Sequence, residues 1–153
     1  MNEQRWIFVI KIIRKPGVLN AVTGVFSSWG ISLETAMLNA KAPESSDGIV
    51  ILSFSSSPRK KEILERTVRR LSRVNGLSSY PYETTKLRMI AACTVPDDYE
   101  PAPYPSVELE THLRGDNTKM LYISGTVKDV DSYITPMLER KEIIDLVRTI
   151  LTT

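Results

Sequence analysis

The residues with the greatest capacity for chemistry are few and lie apart in the sequence. Asp97, Asp98 and Glu100 place three carboxylates within four positions, a grouping that suits a metal ion or acid–base work. They lie in a stretch with four prolines in ten residues and no neighbouring His or Lys, which favours solvated loop charge. The single His112 faces outward on its predicted strand, and the single Cys93 lies in an apolar strand without a nearby basic activator. The sequence therefore predicts no catalytic residue and no metal site.

The segment Ile13-Arg-Lys-Pro-Gly-Val-Leu19 is more informative, because it links a predicted strand to a predicted helix. A helix N-terminus offers unpaired backbone N–H groups and the positive end of the helix dipole. Gly17 lets a ligand approach the backbone closely, so the turn is a candidate carboxylate site. The simpler alternative is a plain turn, in which Pro16 starts the helix and Gly17 relaxes the bend.

Composition limits the class of protein, the number of domains and the cellular setting. The 153 residues are 42% hydrophobic and 25% charged, which is typical of a soluble globular protein of one average domain or two small ones. One cysteine excludes a disulfide framework, and the default setting is reducing and cytoplasmic. No signal peptide or membrane helix is expected.

The net charge of +2 divides unevenly along the chain. Residues 1–85 hold 12 basic and 7 acidic side chains, whereas residues 86–153 hold 8 and 11. Much of the basic excess lies in 59–73, where it alternates with apolar residues at helical spacing and is best explained as a solvated helix face. We therefore expect no nucleic-acid partner.

Hydrophobic periodicity predicts six elements in the first half. Apolar spacing predicts a helix ended by Gly30, in which Gly24 would allow close packing, and a second helix capped by Ser57-Pro58 and ended by Gly76. Pro81 indicates an edge strand or a bulge. The order is strand 6–13, helix 17–29, strands 31–39 and 49–55, helix 57–76 and strand 77–84. This is a ferredoxin-like βαββαβ unit, with both helices on one face of an antiparallel sheet and the other face uncovered.

The second half repeats this pattern imperfectly. Strands are predicted over 87–95, 107–113, 120–127 and 143–151, with a helix over 130–138 that Pro136 kinks or shortens, and a turn over 114–117. The proline-rich stretch 96–105 cannot form a regular helix. The fold class is therefore α+β, with two ferredoxin-like domains over 1–84 and 85–153, the second lacking its first helix.

Two motifs carry a family resemblance. Lys15-Pro-Gly-Val-Leu19 followed by Val25-Phe-Ser-Ser-Trp-Gly-Ile-Ser-Leu-Glu34 resembles the ACT domain, a ferredoxin-like module that binds amino acids at domain interfaces. More closely, the segment GVLNAVTGVFSSWGISLETAML is similar to the small regulatory subunit of acetohydroxyacid synthase (acetolactate synthase). Leu121–Thr126 and Ile143–Arg148, with the helix between them, resemble the C-terminal domain of that subunit.

The resemblance implies a subunit without an active site or a bound cofactor. It would form a homodimer through ACT domains and activate a large catalytic subunit, on which thiamine diphosphate, Mg and FAD are expected. It would also confer feedback inhibition by a branched-chain amino acid such as valine. The effector would lie between two copies, held by the first turn of one and the start of the second strand of the other. The implied residues are Arg14, Lys15, Pro16, Gly17, Val18 and Leu19, with Gly30, Ile31, Ser32 and Leu33 opposite.

Two positions depart from the family pattern. Arg14 and Ser32 stand where the family has asparagines, so both amides that would fix an amino-acid ligand are replaced. Arg14 would either pair with a carboxylate or fill the pocket, and altered or lost valine sensitivity follows. Two other hypotheses remain: a free-standing ACT-type amino-acid sensor, and a small enzyme that uses His112 and the Asp97-Asp98 loop.

Overall fold

The computed structural model describes residues 2–152 and contains two compact units that separate between Tyr82 and Glu83. Each unit has one four-stranded antiparallel sheet. The α+β fold with two ferredoxin-like units, predicted from the sequence, is confirmed, and the second unit has a loop where its first helix would be. No helix within residues 2–152 is long and apolar enough to span a membrane.

The first unit follows the βαββαβ order. Its elements are β1 (Gln4–Ile13), α1 (Val18–Ser28), β2 (Leu33–Ala40), β3 (Asp47–Ser56), α2 (Pro58–Arg69) and β4 (Val74–Pro81). The sheet order is β2-β3-β1-β4, so β4 is an edge strand, as Pro81 indicates. A register shift between Lys11 and Ile12 marks a bulge in the pairing of β1 with β4.

Three phenylalanines form the centre of the first unit's core. Phe8 on β1, Phe26 on α1 and Phe54 on β3 are each fully buried. Their rings meet edge to face, with centroids 4.9 Å apart for the two pairs that include Phe54 and 6.0 Å for the third. This geometry is favourable for aromatic quadrupoles, and it fixes α1 on the sheet.

The end of α2 differs from the prediction. The helix ends at Arg69, and Gly76 lies inside β4. The carbonyl of Arg73 accepts from the N–H of Ile13 at 2.8 Å, and Val74 pairs with Ile12. The apolar spacing continues through Leu71 and Val74, but hydrogen bonding to β1 takes the segment out of the helix.

Gly24 is exposed, and a Cβ built on it meets no atom within 4 Å. The expectation that it permits close helix packing is therefore wrong. We predict that Gly24→Ala raises the free energy of unfolding by about 0.5–1 kcal/mol, because alanine restricts the unfolded chain and suits a helix. Urea denaturation measures this change. Gly30→Ala is the matched control, and it should destabilise because Gly30 has φ +67°; a loss of stability in Gly24→Ala would contradict the prediction.

The second unit has the order β-loop-ββαβ. Its elements are β5 (Leu87–Pro96), β6 (Glu108–Leu113), β7 (Thr118–Thr126), α3 (Val127–Glu139) and β8 (Asp145–Thr152), with sheet order β6-β7-β5-β8. Val127 belongs to the helix and not to the preceding strand, because the Thr126 hydroxyl caps the helix by accepting from the N–H of Asp129 at 3.3 Å. Pro136 lies within α3 without ending it.

The proline-rich loop packs on the same sheet face as α3. The Tyr133 hydroxyl donates to the carbonyl of Ala102 at 2.8 Å, and burial raises the pKa of Tyr133 to about 12. A Cβ at Gly125 would lie 3.1 Å from the backbone oxygen of Ser106 and 3.2 Å from a methyl of Val107. The loop therefore lies directly against β7 and covers part of the sheet that a helix would otherwise cover.

Candidate functional site

An open cavity of about 410 Å³ lies at the turn between β1 and α1. Such a volume falls within the range of small-molecule sites. All six residues predicted for this half of the effector site line it, together with two that sequence reasoning missed. The lining residues are Arg14, Lys15, Pro16, Gly17, Val18, Leu19, Asn20 and Leu38.

The backbone of Gly17 shapes the cavity. Gly17 is the N-cap of α1 and has φ +85° and ψ −7°, a left-handed conformation that favours glycine. Its carbonyl accepts from the N–H of Ala21 at 2.9 Å, which closes the first turn of the helix. No side chain caps the helix. Within residues 2–152, the N–H groups of Leu19 and Asn20 have no hydrogen-bond partner, so they remain available to a ligand.

The electrostatics of this cavity suit a carboxylate. Arg14 and Lys15 are cationic, the first turn of α1 contains no acidic residue, and the helix dipole adds its positive end. Val18, Leu19 and Leu38 supply apolar surface beside these groups. A small molecule with one carboxylate and one aliphatic group matches both parts of the cavity.

Arg14 is held by the turn between β2 and β3. Its Nη1 donates to the carbonyl of Ser45 at 2.6 Å and to that of Ala42 at 3.3 Å, and both Nη atoms lie 3.4 Å from the carbonyl of Pro43. Its backbone N–H also donates to the carbonyl of Ser46 at 2.6 Å. The sequence left two roles open for this guanidinium, pairing with a ligand or filling the pocket. In the structure it braces a neighbouring turn at the wall of the cavity.

The second predicted group, Gly30 to Leu33, lies at the opposite end of α1. Gly30 and Ile31 donate to the carbonyls of Ser27 and Phe26 at 3.0 Å each, the hydrogen bonds of a Schellman cap. Leu33 begins β2 and pairs with Phe54. Because α1 has 11 residues and is therefore about 16 Å long, one chain does not bring the two groups together.

Asn20 and Leu38 were missed for different reasons. Asn20 directly follows the predicted residues, and its position in the first turn of the predicted helix was enough to include it in the site. Leu38 is 18 positions further along the chain and reaches the site because β2 pairs with β3, where Leu38 lies opposite Val50. Only the strand register shows this contact.

The candidate catalytic residues lie on two strands and a loop of the second unit. His112 is exposed on β6, as predicted, and its Nε2 lies 2.8 Å from an oxygen of Glu110. Asp97, Asp98 and Glu100 are exposed near the end of β5. Among the described residues, no three His, Cys, Asp or Glu side chains are grouped so that they could hold a metal ion.

Cys93 is buried, and burial raises the pKa of its thiol to about 11. We predict that iodoacetamide modifies the folded protein far more slowly at pH 8 than it modifies the unfolded chain, because the thiolate is the reactive form. The rate should rise as the pH approaches 11. Mass spectrometry with and without urea measures both rates; equal rates at pH 8 would contradict the prediction.

No family model matches the chain, and no curated protein matches its sequence. The acetolactate synthase small subunit from Thermotoga maritima has a similar structure, with a TM-score of 0.67 and 17% identity over 99% of this chain and 96% of that chain. The ACT domain of GTP pyrophosphokinase from Chlorobium tepidum matches with a TM-score of 0.46 and 22% identity, over 56% of this chain and 93% of its own. The regulatory subunit of aspartate kinase from Thermus thermophilus matches with a TM-score of 0.46 and 12% identity, over 90% of this chain and 91% of its own. The fold of this protein is therefore a double ferredoxin-like fold, which the small subunit from Thermotoga maritima shares.

Proposed function

We propose that this protein is a non-catalytic regulatory subunit of an acetohydroxyacid synthase (acetolactate synthase) or a close relative. In this proposal the first compact unit, which ends at Tyr82, is its ACT domain, and the second, which begins at Glu83, is a C-terminal domain of the small-subunit type. The observation that carries the proposal is the cavity of about 410 Å³, which the turn from Arg14 to Leu19 lines in an ACT-type fold. Thiamine diphosphate, Mg and FAD belong to the large subunit.

An amino-acid effector would use the cavity as follows. Its carboxylate accepts from the N–H groups of Leu19 and Asn20, and its aliphatic side chain contacts Val18 and Leu38. The segment from Gly30 to Leu33 of a second copy closes the site. This arrangement requires a homodimer formed through the ACT domains, because one chain keeps the two segments at opposite ends of α1.

Apolar surface on the second unit also supports a role in an assembly. On the sheet face opposite α3, four large apolar side chains are at least 36% exposed: Ile90, Tyr122, Val147 and Leu151. Exposed apolar patches on a small protein commonly mark interaction sites. A subunit that acts through a larger partner needs surface of this kind.

Mixing the purified chain with its cognate large subunit tests the proposal. We expect the two proteins to co-purify and the turnover of acetolactate formation to rise. A chain that neither binds nor stimulates the large subunit would overturn the proposal. Tight calorimetric binding of an amino acid without any effect on a large subunit would favour the free-standing sensor.

We predict that valine inhibits the reconstituted enzyme weakly or not at all. The amides expected at positions 14 and 32 are replaced by Arg14 and Ser32, and the Arg14 guanidinium is engaged with the turn between β2 and β3. Inhibition assays over a valine titration measure this, with Ser32→Asn and the Arg14→Asn/Ser32→Asn pair as gain-of-sensitivity variants. Inhibition equal to that of an asparagine-bearing relative would contradict the prediction.

A further inference from the structure

A second cavity, of about 450 Å³, lies at one end of the first sheet, where β1 and β2 end and β3 and β4 begin. It is separate from the cavity at the first turn, since the two share no lining residue. Its lining includes three apolar residues, Ile12, Ala40 and Ile49, and five polar side chains. They are Lys11, Asn39, Lys41, Asp47 and Asn75.

The strand register explains why these side chains meet. Ile49 pairs with Lys11 on one side and with Asn39 on the other, so the three form one row across the sheet. Ile10, Ile12 and Val50 belong to the core beneath the helices, and side chains alternate along a strand. The row therefore faces away from the helices. Gly76, which pairs with Lys11, has no side chain and leaves the row open at the β4 side.

The next row adds the opposite charge. The N–H of Lys41 donates to the carbonyl of Asp47 at 3.0 Å, which fixes the two residues across the base of the turn between β2 and β3. Arg14 braces the carbonyls of the same turn. Lys41 and Asp47 are thus held at the mouth of the cavity by backbone hydrogen bonds, and their side chains remain available.

The polar side chains of this cavity do not satisfy one another. In the part of the chain that the structure describes, Lys11, Lys41 and Asp47 form no ion pair within 4.0 Å. Among the described residues, the side-chain amides of Asn39 and Asn75 likewise make no hydrogen bond. Two cations, one anion and two amides therefore line one open cavity, where each is exposed to solvent and can exchange water for a ligand.

We infer that this cavity binds an acidic amino acid, that is, a small molecule with two carboxylates and one ammonium group. The two carboxylates pair with Lys11 and Lys41, and the ammonium pairs with Asp47. Asn39 and Asn75 bond the remaining oxygens, and the methylene chain lies on Ile49. The charges match, since the site carries +1 and the ligand −1 at neutral pH. This inference is independent of the proposed catalytic partner.

Isothermal titration calorimetry of the full chain with L-glutamate and L-aspartate tests the inference without any large subunit. We expect saturable binding of at least one of them, with glutarate, which lacks the ammonium, and L-alanine, which lacks the second carboxylate, each about tenfold weaker. No binding of either acidic amino acid up to about 10 mM would overturn the inference. So would equal affinity for glutarate and glutamate.

Three variants locate the site. Lys11→Gln and Lys41→Gln should each weaken glutamate binding by about tenfold, whereas Lys15→Gln, which alters the other cavity, should leave it unchanged. Asp47→Asn should remove the preference for glutamate over glutarate. Loss of binding in Lys15→Gln alone would place the ligand in the first cavity and overturn the inference.

Chemical-shift mapping on the unsubstituted protein keeps the test independent of variant folding. Addition of L-glutamate should shift the backbone amides of Lys11, Asn39 and Lys41 more than those of Leu19 and Asn20. The opposite pattern would contradict the inference. Failure of this binding test leaves stimulation of a large subunit unaffected, so the two proposals fail separately.

Discussion

Replacing Phe54 by alanine is expected to lower the free energy of unfolding by about 3–5 kcal/mol, the largest effect of any substitution considered. Phe54 is fully buried, and its ring meets those of Phe8 and Phe26 edge to face at 4.9 Å each. Alanine leaves a cavity among these rings and removes their mutual attraction. Urea denaturation followed by circular dichroism measures the loss.

The loss should also affect the first cavity. Phe26 fixes α1 to the sheet, and the N-terminus of α1 forms one wall of the cavity. Leu113→Ala is the control, because Leu113 is 78% exposed and its removal should change stability by no more than about 0.5 kcal/mol. Similar losses in the two variants would contradict the central role of the aromatic cluster.

Replacing Arg14 by alanine is expected to lower the free energy of unfolding by about 1–3 kcal/mol. The half-buried guanidinium donates to the carbonyls of Ala42, Pro43 and Ser45, and these acceptors lose their charged partner in the variant. The turn between β2 and β3 should become more mobile. Hydrogen exchange of the amides in 41–47, together with urea denaturation, measures both effects.

Two further variants separate the contribution of the planar guanidinium donors from that of the positive charge. Arg14→Lys should recover only part of the stability, because one ammonium cannot reproduce the planar set of donors that contacts three carbonyls. Lys15→Ala, at an exposed neighbouring position, should change little. Full recovery in Arg14→Lys would show that charge alone supports the turn.

Most of the element order follows from periodicity and end signals. Ser57 and Pro58 begin α2 as predicted, with the Ser57 hydroxyl accepting from the N–H of Lys60 at 3.2 Å. The exception is the end of α2, because helical apolar spacing continues after Arg69 although the backbone has already turned to pair with β1. The spacing of apolar residues cannot show whether a residue enters the core as part of a helix or as part of the strand that follows it.

Some features of the candidate site could likewise be predicted from the sequence, and others could not. The turn from Arg14 to Leu19 could be predicted from the sequence because its residues are consecutive and include the pair Pro16-Gly17. The left-handed backbone of Gly17 then appears in the structure. The bracing role of Arg14 was not visible, since its acceptors are 28 to 31 residues away. The second cavity was not visible either, because Lys11, Asn39 and Asp47 come from three different strands.

By itself, the sequence determined the α+β class, the two ferredoxin-like halves, the loop in place of a helix and the turn that carries the first cavity. These features depend on local propensities and on periodicity, which act between neighbours along the chain. The tertiary structure alone decided the partners of Arg14, the contribution of Leu38 and the meeting of unpaired charges beside Ile49. Those features depend on strand register, which hydrogen bonding between distant segments sets only when the whole sheet forms.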